Sequence, residues 1–136
     1  MVRDIYFKEN YVQTLVEGKV IHAVWKNLSK AEVIYASCNA QIKVVQNEGC
    51  NVVIIDMLDS RTTPPMECQK WFGEVLFPEF LKNPNFKALI NVLPKGSVIT
   101  KMGANHWKKT VEKAQLGFDV YETYSVAEAK KLAASL

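Results

Sequence analysis

The chain has few cysteines and no cysteine pattern. Three are present among its 136 residues, at Cys38, Cys50 and Cys68, and no pair has Cys-x-x-Cys spacing. An odd number without such spacing predicts neither a disulfide framework nor a zinc site. We expect Cys38 and Cys68, on apolar helix faces, to be small core residues in a reduced, cytoplasmic compartment.

Other signatures are missing as well. The six glycines are scattered and form no Gly-x-Gly-x-x-Gly motif, so no phosphate-cradling loop is predicted. No apolar run approaches the roughly 20 residues of a membrane span, and the first ten residues do not resemble a signal peptide. No Arg-rich or aromatic-interleaved run favours nucleic acid. We therefore expect neither a membrane nor a nucleic-acid partner.

Histidine is almost absent. His22 and His106 are the only two, and neither lies in a Ser/His/Asp or Cys/His signature. Without a partner visible in the sequence, each is expected to be a hydrogen-bonded core or surface residue. The sequence therefore predicts no catalytic residue and no cofactor.

One stretch, residues 51–65, organises the rest of the chain. Four β-branched residues lead to Asp56, a polar loop follows, and two prolines then begin the next element. This pattern predicts a buried strand, a surface loop and a helix, which is where open α/β sheets bind ligands. The length and the 49% hydrophobic content predict one domain spanning residues 1–136.

The element order predicts the fold. We expect a first extended segment at residues 5–16, unbroken or with a break near residues 8–10, and further strands at 19–25, 51–56, 86–93 and 118–122. Helices are expected at about 30–48, 65–80, 98–115 and 126–136. Capping boxes at Ser29–Glu32 and Ser125–Glu128 begin two of the helices, and Gly49 ends one. Pro78 should either kink another helix or end it early, with a short further turn. This β-β-α-β-α-β-α-β-α order predicts an α/β fold with a mixed, mostly parallel five-stranded sheet and an antiparallel edge strand. The second strand, apolar on both faces, should be covered on both sides.

Asp56 and Asp59 are the closest pair of carboxylates. Together they could hold Mg²⁺ or act as acid and base. In the alternative interpretation, Asp59 pairs with Arg61 or caps the loop while Asp56 accepts loop amides. We favour the alternative, since no third ligand is visible, and so predict no metal site.

The same loop carries hydroxyl groups at Ser60, Thr62 and Thr63. A phosphate there would lie at the positive end of a helix, with backbone amides to receive it. Ordinary N-cap chemistry, with Thr63 before Pro64, explains the same residues.

Aromatic and apolar residues crowd the helix that follows. The simpler interpretation is core packing with a few exposed rings. The alternative is an apolar groove between this helix and the sheet, open to a lipid-like molecule or a partner. Its candidate residues are Trp71, Phe72, Val75 and Phe80.

Four local patterns together resemble a known family. They are residues 51–60, Trp71 to Pro78, Val92-Leu93-Pro94, and residues 124–129. They are similar to small STAS-like proteins, stand-alone relatives of bacterial anti-sigma-factor antagonists whose fold resembles lipid-transfer domains of the SEC14 type.

The resemblance implies a phosphoacceptor. In well-understood members an Asp-Ser-Ser-Gly motif follows the third strand, and a kinase that is also the anti-sigma partner phosphorylates its serine. Asp59-Ser60 match the first two positions, and Arg61-Thr62 replace the Ser-Gly that follows. Ser60 is therefore the phosphoacceptor candidate.

Three hypotheses of function follow. The first is a non-enzymatic, regulatory protein-interaction module whose protein partner, an anti-sigma-like kinase for example, contacts a recognition loop. That loop comprises Asp56, Asp59, Ser60, Arg61, Thr62 and Thr63. The second is a carrier of a small hydrophobic ligand or lipid. The third is a metal-dependent enzyme using Asp56 and Asp59.

Overall fold

The computed structural model describes residues 2–60, 62–94 and 118–136. These residues form an α/β fold around one mixed sheet whose six strands lie side by side in chain order. The strands are β1 (Val2–Lys8), β2 (Val12–Glu17), β3 (Val20–Trp25), β4 (Val52–Asp56), β5 (Ala88–Val92) and β6 (Asp119–Thr123). The predicted α/β class is confirmed.

The expected count of five strands is wrong, because the first extended segment is two strands. The chain reverses between Lys8 and Val12, where Asn10 has a φ of 68°. Asparagine tolerates this left-handed conformation better than most residues, so it supplies the turn without glycine. The described chain therefore begins β-β-β rather than β-β, with β1 as an antiparallel edge strand.

The second half of the sheet is parallel. β3, β4, β5 and β6 pair in parallel, each with the next. The residues of β5 are all buried, and so are four of the five in β4. Both strands are therefore central, and their carboxyl ends share one edge of the sheet with the end of β6.

The first helix, α1 (Ala31–Glu48), ends as expected and begins differently. Gly49 ends it in the left-handed conformation, with a φ of 75°. The capping box at Ser29–Glu32 does not form, because the Ser29 hydroxyl and amide both donate to Asn27 Oδ1. That local turn takes the serine away from the helix, which begins without a side-chain cap.

The second helical segment is interrupted before Pro78. It consists of α2 (Met66–Trp71), a π-helical turn (Phe72–Leu76) and α3 (Phe77–Phe80). A proline at position 78 has no amide to donate and its ring would collide with the carbonyl four residues earlier. The wider π turn relieves this conflict, so the helix widens where a kink was expected.

The last helix, α4 (Val126–Ser135), confirms the second capping box. The Ser125 hydroxyl accepts from the Glu128 amide at 3.1 Å. The expected helix at 98–115 lies outside the described residues. None of the helices that the structure describes is long and apolar enough to cross a membrane.

The two faces of the sheet are covered unequally. The α1–α3 face holds the larger core, which includes Phe77 and Phe80, whereas α4 covers a smaller core over β4, β5 and β6. On that second face of β3, Val20, His22 and Val24 are only half-buried. The expectation that this strand is covered on both sides is therefore wrong for the part of the molecule that the structure describes.

Candidate functional site

The connection from β4 to α2, residues 57–65, lies at the carboxyl edge of the parallel strands, and we call it the β4 loop. Its first residue extends the sheet, because the Met57 amide donates to the Val92 carbonyl at 2.9 Å. A tight turn follows, in which the Ser60 amide donates to the Met57 carbonyl. The loop therefore lies where the sequence predicted it, and residue 61 within it is not described.

Asp56, the last residue of β4, is bonded to a histidine. Its Oδ2 atom lies 3.0 Å from His22 Nε2, while Oδ1 accepts from the Leu58 amide at 3.2 Å. Both side chains are mostly buried, 15% exposed for His22 and 8% for Asp56. The expectation that Asp56 accepts loop amides is borne out by the Leu58 bond.

The geometry of this pair fixes one imidazole nitrogen. Because Nε2 bonds the Asp56 carboxylate, Nδ1 is the ring nitrogen left for a further hydrogen bond. The His22 side chain also lines a groove on the α4 face of the sheet. His22 and Asp56 are therefore an oriented pair with one nitrogen open to a ligand.

The loop hydroxyls are turned inward. Ser60 is completely buried, and its hydroxyl donates to the Thr62 carbonyl at 3.2 Å. The Thr62 hydroxyl accepts from the Leu28 amide at 2.7 Å, which ties the loop to the segment after β3. In this conformation Ser60 and Thr62 hold the loop to the scaffold, and a kinase could reach the Ser60 oxygen only after the loop opens.

Thr63 does not cap the helix as the sequence suggested. The N-cap position is Pro65, and no side chain accepts from the first turn of α2. Gln69 instead donates its side-chain amide to the Pro64 carbonyl at 2.8 Å. This buried bond from α2 holds the C-terminal end of the β4 loop in place.

The outward side of the loop and of α2 is exposed. Asp59 is exposed within the loop, and Glu67 and Lys70 are exposed on α2. Met66, the first residue of α2, is 69% exposed. We call these four residues the loop–helix surface; an exposed methionine among charged side chains is typical of protein contacts.

The two carboxylates predicted as a possible metal pair have different environments. Asp56 is buried against His22, whereas Asp59 is exposed. Within residues 2–60, 62–94 and 118–136, no group of three or more His, Cys, Asp or Glu side chains could hold a metal ion. The described residues thus offer no support for the metal-dependent enzyme.

The predicted apolar groove is divided between core and surface. Phe72 and Phe80 are buried and line a narrow pocket of about 20 Å³, room for about one water. Trp71 is half-buried against Tyr35, with ring centroids 5.0 Å apart, and Val75 is 38% exposed. The described structure therefore holds no groove of lipid size at these four residues.

The cysteines are buried and free, as the sequence predicted for two of them. Burial raises the pKa of the Cys38 thiol, and the neighbouring Cys68 adds to the rise. Burial also raises the pKa of Cys68, although a hydrogen bond from Tyr35 opposes it. Protonated, enclosed thiols are poor nucleophiles, so these residues belong to the scaffold.

The side-chain amide of Asn91, on β5, is buried without hydrogen bonds. It is 1% exposed, and neither its amide nitrogen nor its oxygen has a hydrogen-bond partner. Asn91 is two residues from both Leu89 and Leu93, so its side chain lies on the same α1–α3 face of the sheet as theirs. An unpartnered buried amide destabilises the fold by about 1–3 kcal/mol.

No protein-family model, curated protein or solved structure matches this chain. Function is therefore argued from the side chains described above.

Proposed function

We propose that the chain is a non-enzymatic protein-interaction module of the STAS-like kind, whose partner binds the loop–helix surface. Met66 carries this proposal, because a large apolar side chain that is 69% exposed gains most by being covered. Asp59 lies on the same connection and Glu67 and Lys70 on the same helix. These charges supply a polar rim around the apolar contact.

The surface is supported from beneath. Three buried or half-buried polar side chains bond to the scaffold or within the loop. Asp56 bonds to His22, Ser60 to the Thr62 carbonyl, and Thr62 to the Leu28 amide. A loop that is already held in one conformation loses little entropy when a partner binds. The buried polar groups therefore support recognition by shaping the loop, while the exposed residues make the contact.

Regulation at Ser60 is part of the same proposal and rests on the family resemblance. A phosphate on this oxygen could not stay in a fully buried position, so the modification would hold the loop open and alter the surface. The kinase would also be the partner, in a bacterial signalling pathway in the cytoplasm, where the three thiols stay reduced.

A pair of Ser60 variants tests the switch. We expect Ser60→Asp to release a partner that Ser60→Ala retains, because only the aspartate forces a charge into the buried site. A pull-down from the source cell, with melting curves for both variants, measures this. If both variants bind the same proteins as the wild type, Ser60 is not a switch.

A second pair of variants tests the surface itself. Met66→Glu places a charge in the centre of the proposed contact, whereas Val75→Glu places it on the π-helical turn at a residue that is 38% exposed. We expect the first variant to lose the partner and the second to keep it. Equal loss, or equal retention, would show that the partner binds elsewhere.

A further inference from the structure

The face of the sheet under α4 carries a groove beside that helix. Its volume is about 200 Å³. Leu15, Val20 and Ile54 contribute its apolar sheet side, Lys130 and Ala134 its helix side, and His22 lies among them. This groove is on the opposite side of the sheet from the aromatic residues of α2 and α3.

The small residues of α4 leave this space open. Ala133 and Ala134 line the groove, and the helix covers β4 to β6 rather than β1 to β3. A groove of about 200 Å³ is smaller than the roughly 300–1,000 Å³ of pockets that bind drug-sized ligands. A short-chain molecule therefore matches the groove better than a long-chain lipid does.

The polar groups of the groove are arranged along the strands. His22 and Val20 both lie on the α4 face of β3, so their Cα atoms are about 6.6 Å apart along the strand. The helix begins just after β6 ends, at the carboxyl edge, so Lys130 is nearer that edge than Ala134. The imidazole and the ammonium thus lie toward one end of the groove, and Glu17 lies beside Val20 at the other.

Each polar group selects a complementary group on the ligand. Lys130 offers an ammonium, which a carboxylate would neutralise. His22 offers Nδ1, since Asp56 occupies Nε2, and a hydroxyl can bond to this nitrogen either as donor or as acceptor. The apolar sheet residues between them suit a short hydrocarbon chain.

We propose that this groove is a binding site for a short-chain hydroxy acid. The carboxylate pairs with Lys130, the hydroxyl forms a hydrogen bond with His22 Nδ1, and the alkyl chain covers Leu15, Val20 and Ile54. The site is independent of the loop–helix surface, except that Asp56 orients His22 and also begins the β4 loop.

The test is a nuclear magnetic resonance titration of the full chain with 3-hydroxypentanoate. We expect saturable shifts of the His22 ring protons and of the Leu15 and Ile54 methyl groups. Pentanoate, which lacks the hydroxyl, should bind about fivefold more weakly, the effect of one lost hydrogen bond. This comparison probes His22 without mutating it, because a variant would also leave Asp56 without its partner.

Two exposed pairs on α4 supply matched variants. Lys130→Met should weaken binding about fivefold, whereas Lys131→Met, beside it but outside the groove, should leave it unchanged. Ala134→Leu should fill the groove and abolish binding, whereas Ala127→Leu, exposed elsewhere on the helix, should retain it.

Four outcomes would overturn the proposal. They are the absence of saturable shifts at millimolar ligand, binding by Ala134→Leu equal to that of the wild type, equal binding by the Lys130→Met and Lys131→Met variants, and pentanoate binding as tightly as the hydroxy acid. The last two would contradict the assigned roles of Lys130 and His22 respectively.

Discussion

The two faces of the sheet use the same strands for different purposes. Against α1–α3 the buried aromatic side chains leave a pocket of only about 20 Å³, and an open pocket of about 540 Å³ lies between β1 and α1 at the edge of this face. Against α4 the cover stops before β3, and a groove of about 200 Å³ remains beside the His22–Asp56 pair. The larger buried core therefore lies on the first face, whereas the second face leaves side chains of β3 partly accessible beside α4.

The largest expected effect is on the closed face. Phe80 is completely buried and stacks on Phe86, with ring centroids 4.9 Å apart. We expect Phe80→Ala to lower the free energy of unfolding by about 3–5 kcal/mol through the cavity it leaves. Urea denaturation measures this loss.

Phe7 is the matched control for that change. It lies on the α4 face of β1 and is 61% exposed. We expect Phe7→Ala to change the free energy of unfolding by less than about 0.5 kcal/mol. Similar losses at Phe7 and Phe80 would mean that the two faces are not as different as described.

The His22–Asp56 pair should give the next largest effect. A double-mutant cycle with His22→Ala and Asp56→Ala should show a coupling energy of about 1–3 kcal/mol, because both side chains are mostly buried. Asp56→Ala alone should cost more than His22→Ala, because it also removes the acceptor of the Leu58 amide. Denaturation of the four proteins measures the coupling.

The exposed pair Lys70–Glu74 gives the comparison for that cycle. Its charged atoms are 3.9 Å apart one helical turn along the chain. Exposed pairs of this kind are coupled by at most about 0.5 kcal/mol. A coupling between His22 and Asp56 no larger than this would mean that Asp56 does not hold His22 in place.

The β4 loop offers a neighbouring pair of threonines. Thr62→Val leaves the Leu28 amide without its acceptor, so we expect a loss of about 1–2 kcal/mol in the free energy of unfolding. Thr63→Val removes a hydroxyl that caps no helix, and should cost less. Thermal or urea unfolding measures both losses. A larger loss for Thr63→Val than for Thr62→Val would contradict the role given to the Thr62 hydroxyl.

Asn91 gives the smallest effect, and one of opposite sign. Because its side-chain amide is buried without a partner, Asn91→Leu should raise the free energy of unfolding by about 1 kcal/mol. The same denaturation experiment measures it. A loss of stability would mean that the amide has a use on this face that the leucine cannot replace.

Local patterns predicted much of the architecture. Strands β3 to β6, the left-handed Gly49 and the Ser125 cap all depend on residues close together in the chain. The break between β1 and β2 was considered near residues 8–10 but not counted as a boundary between two strands, because Asn10 provides the turn where no glycine marks it. The π-helical turn before Pro78 was expected as a kink, since proline forbids a regular helix without specifying which irregularity replaces it.

The site was predicted less completely, for a physical reason. His22 and Asp56 are 34 residues apart and meet only because β3 and β4 pair in parallel. No local spacing in the sequence therefore predicts their contact. The burial of Ser60 likewise depends on how the loop folds back toward Thr62. The position of the loop at the strand exit was predictable, whereas the direction of its side chains was not.

Site-specific photo-crosslinking tests the central claim, that a protein partner binds the loop–helix surface, most directly. A photoreactive phenylalanine analogue replaces Met66 in one variant and Asn39, exposed on α1, in the other. We predict one discrete protein adduct from position 66 and none from position 39. An adduct from position 39 with none from position 66 would contradict the claim.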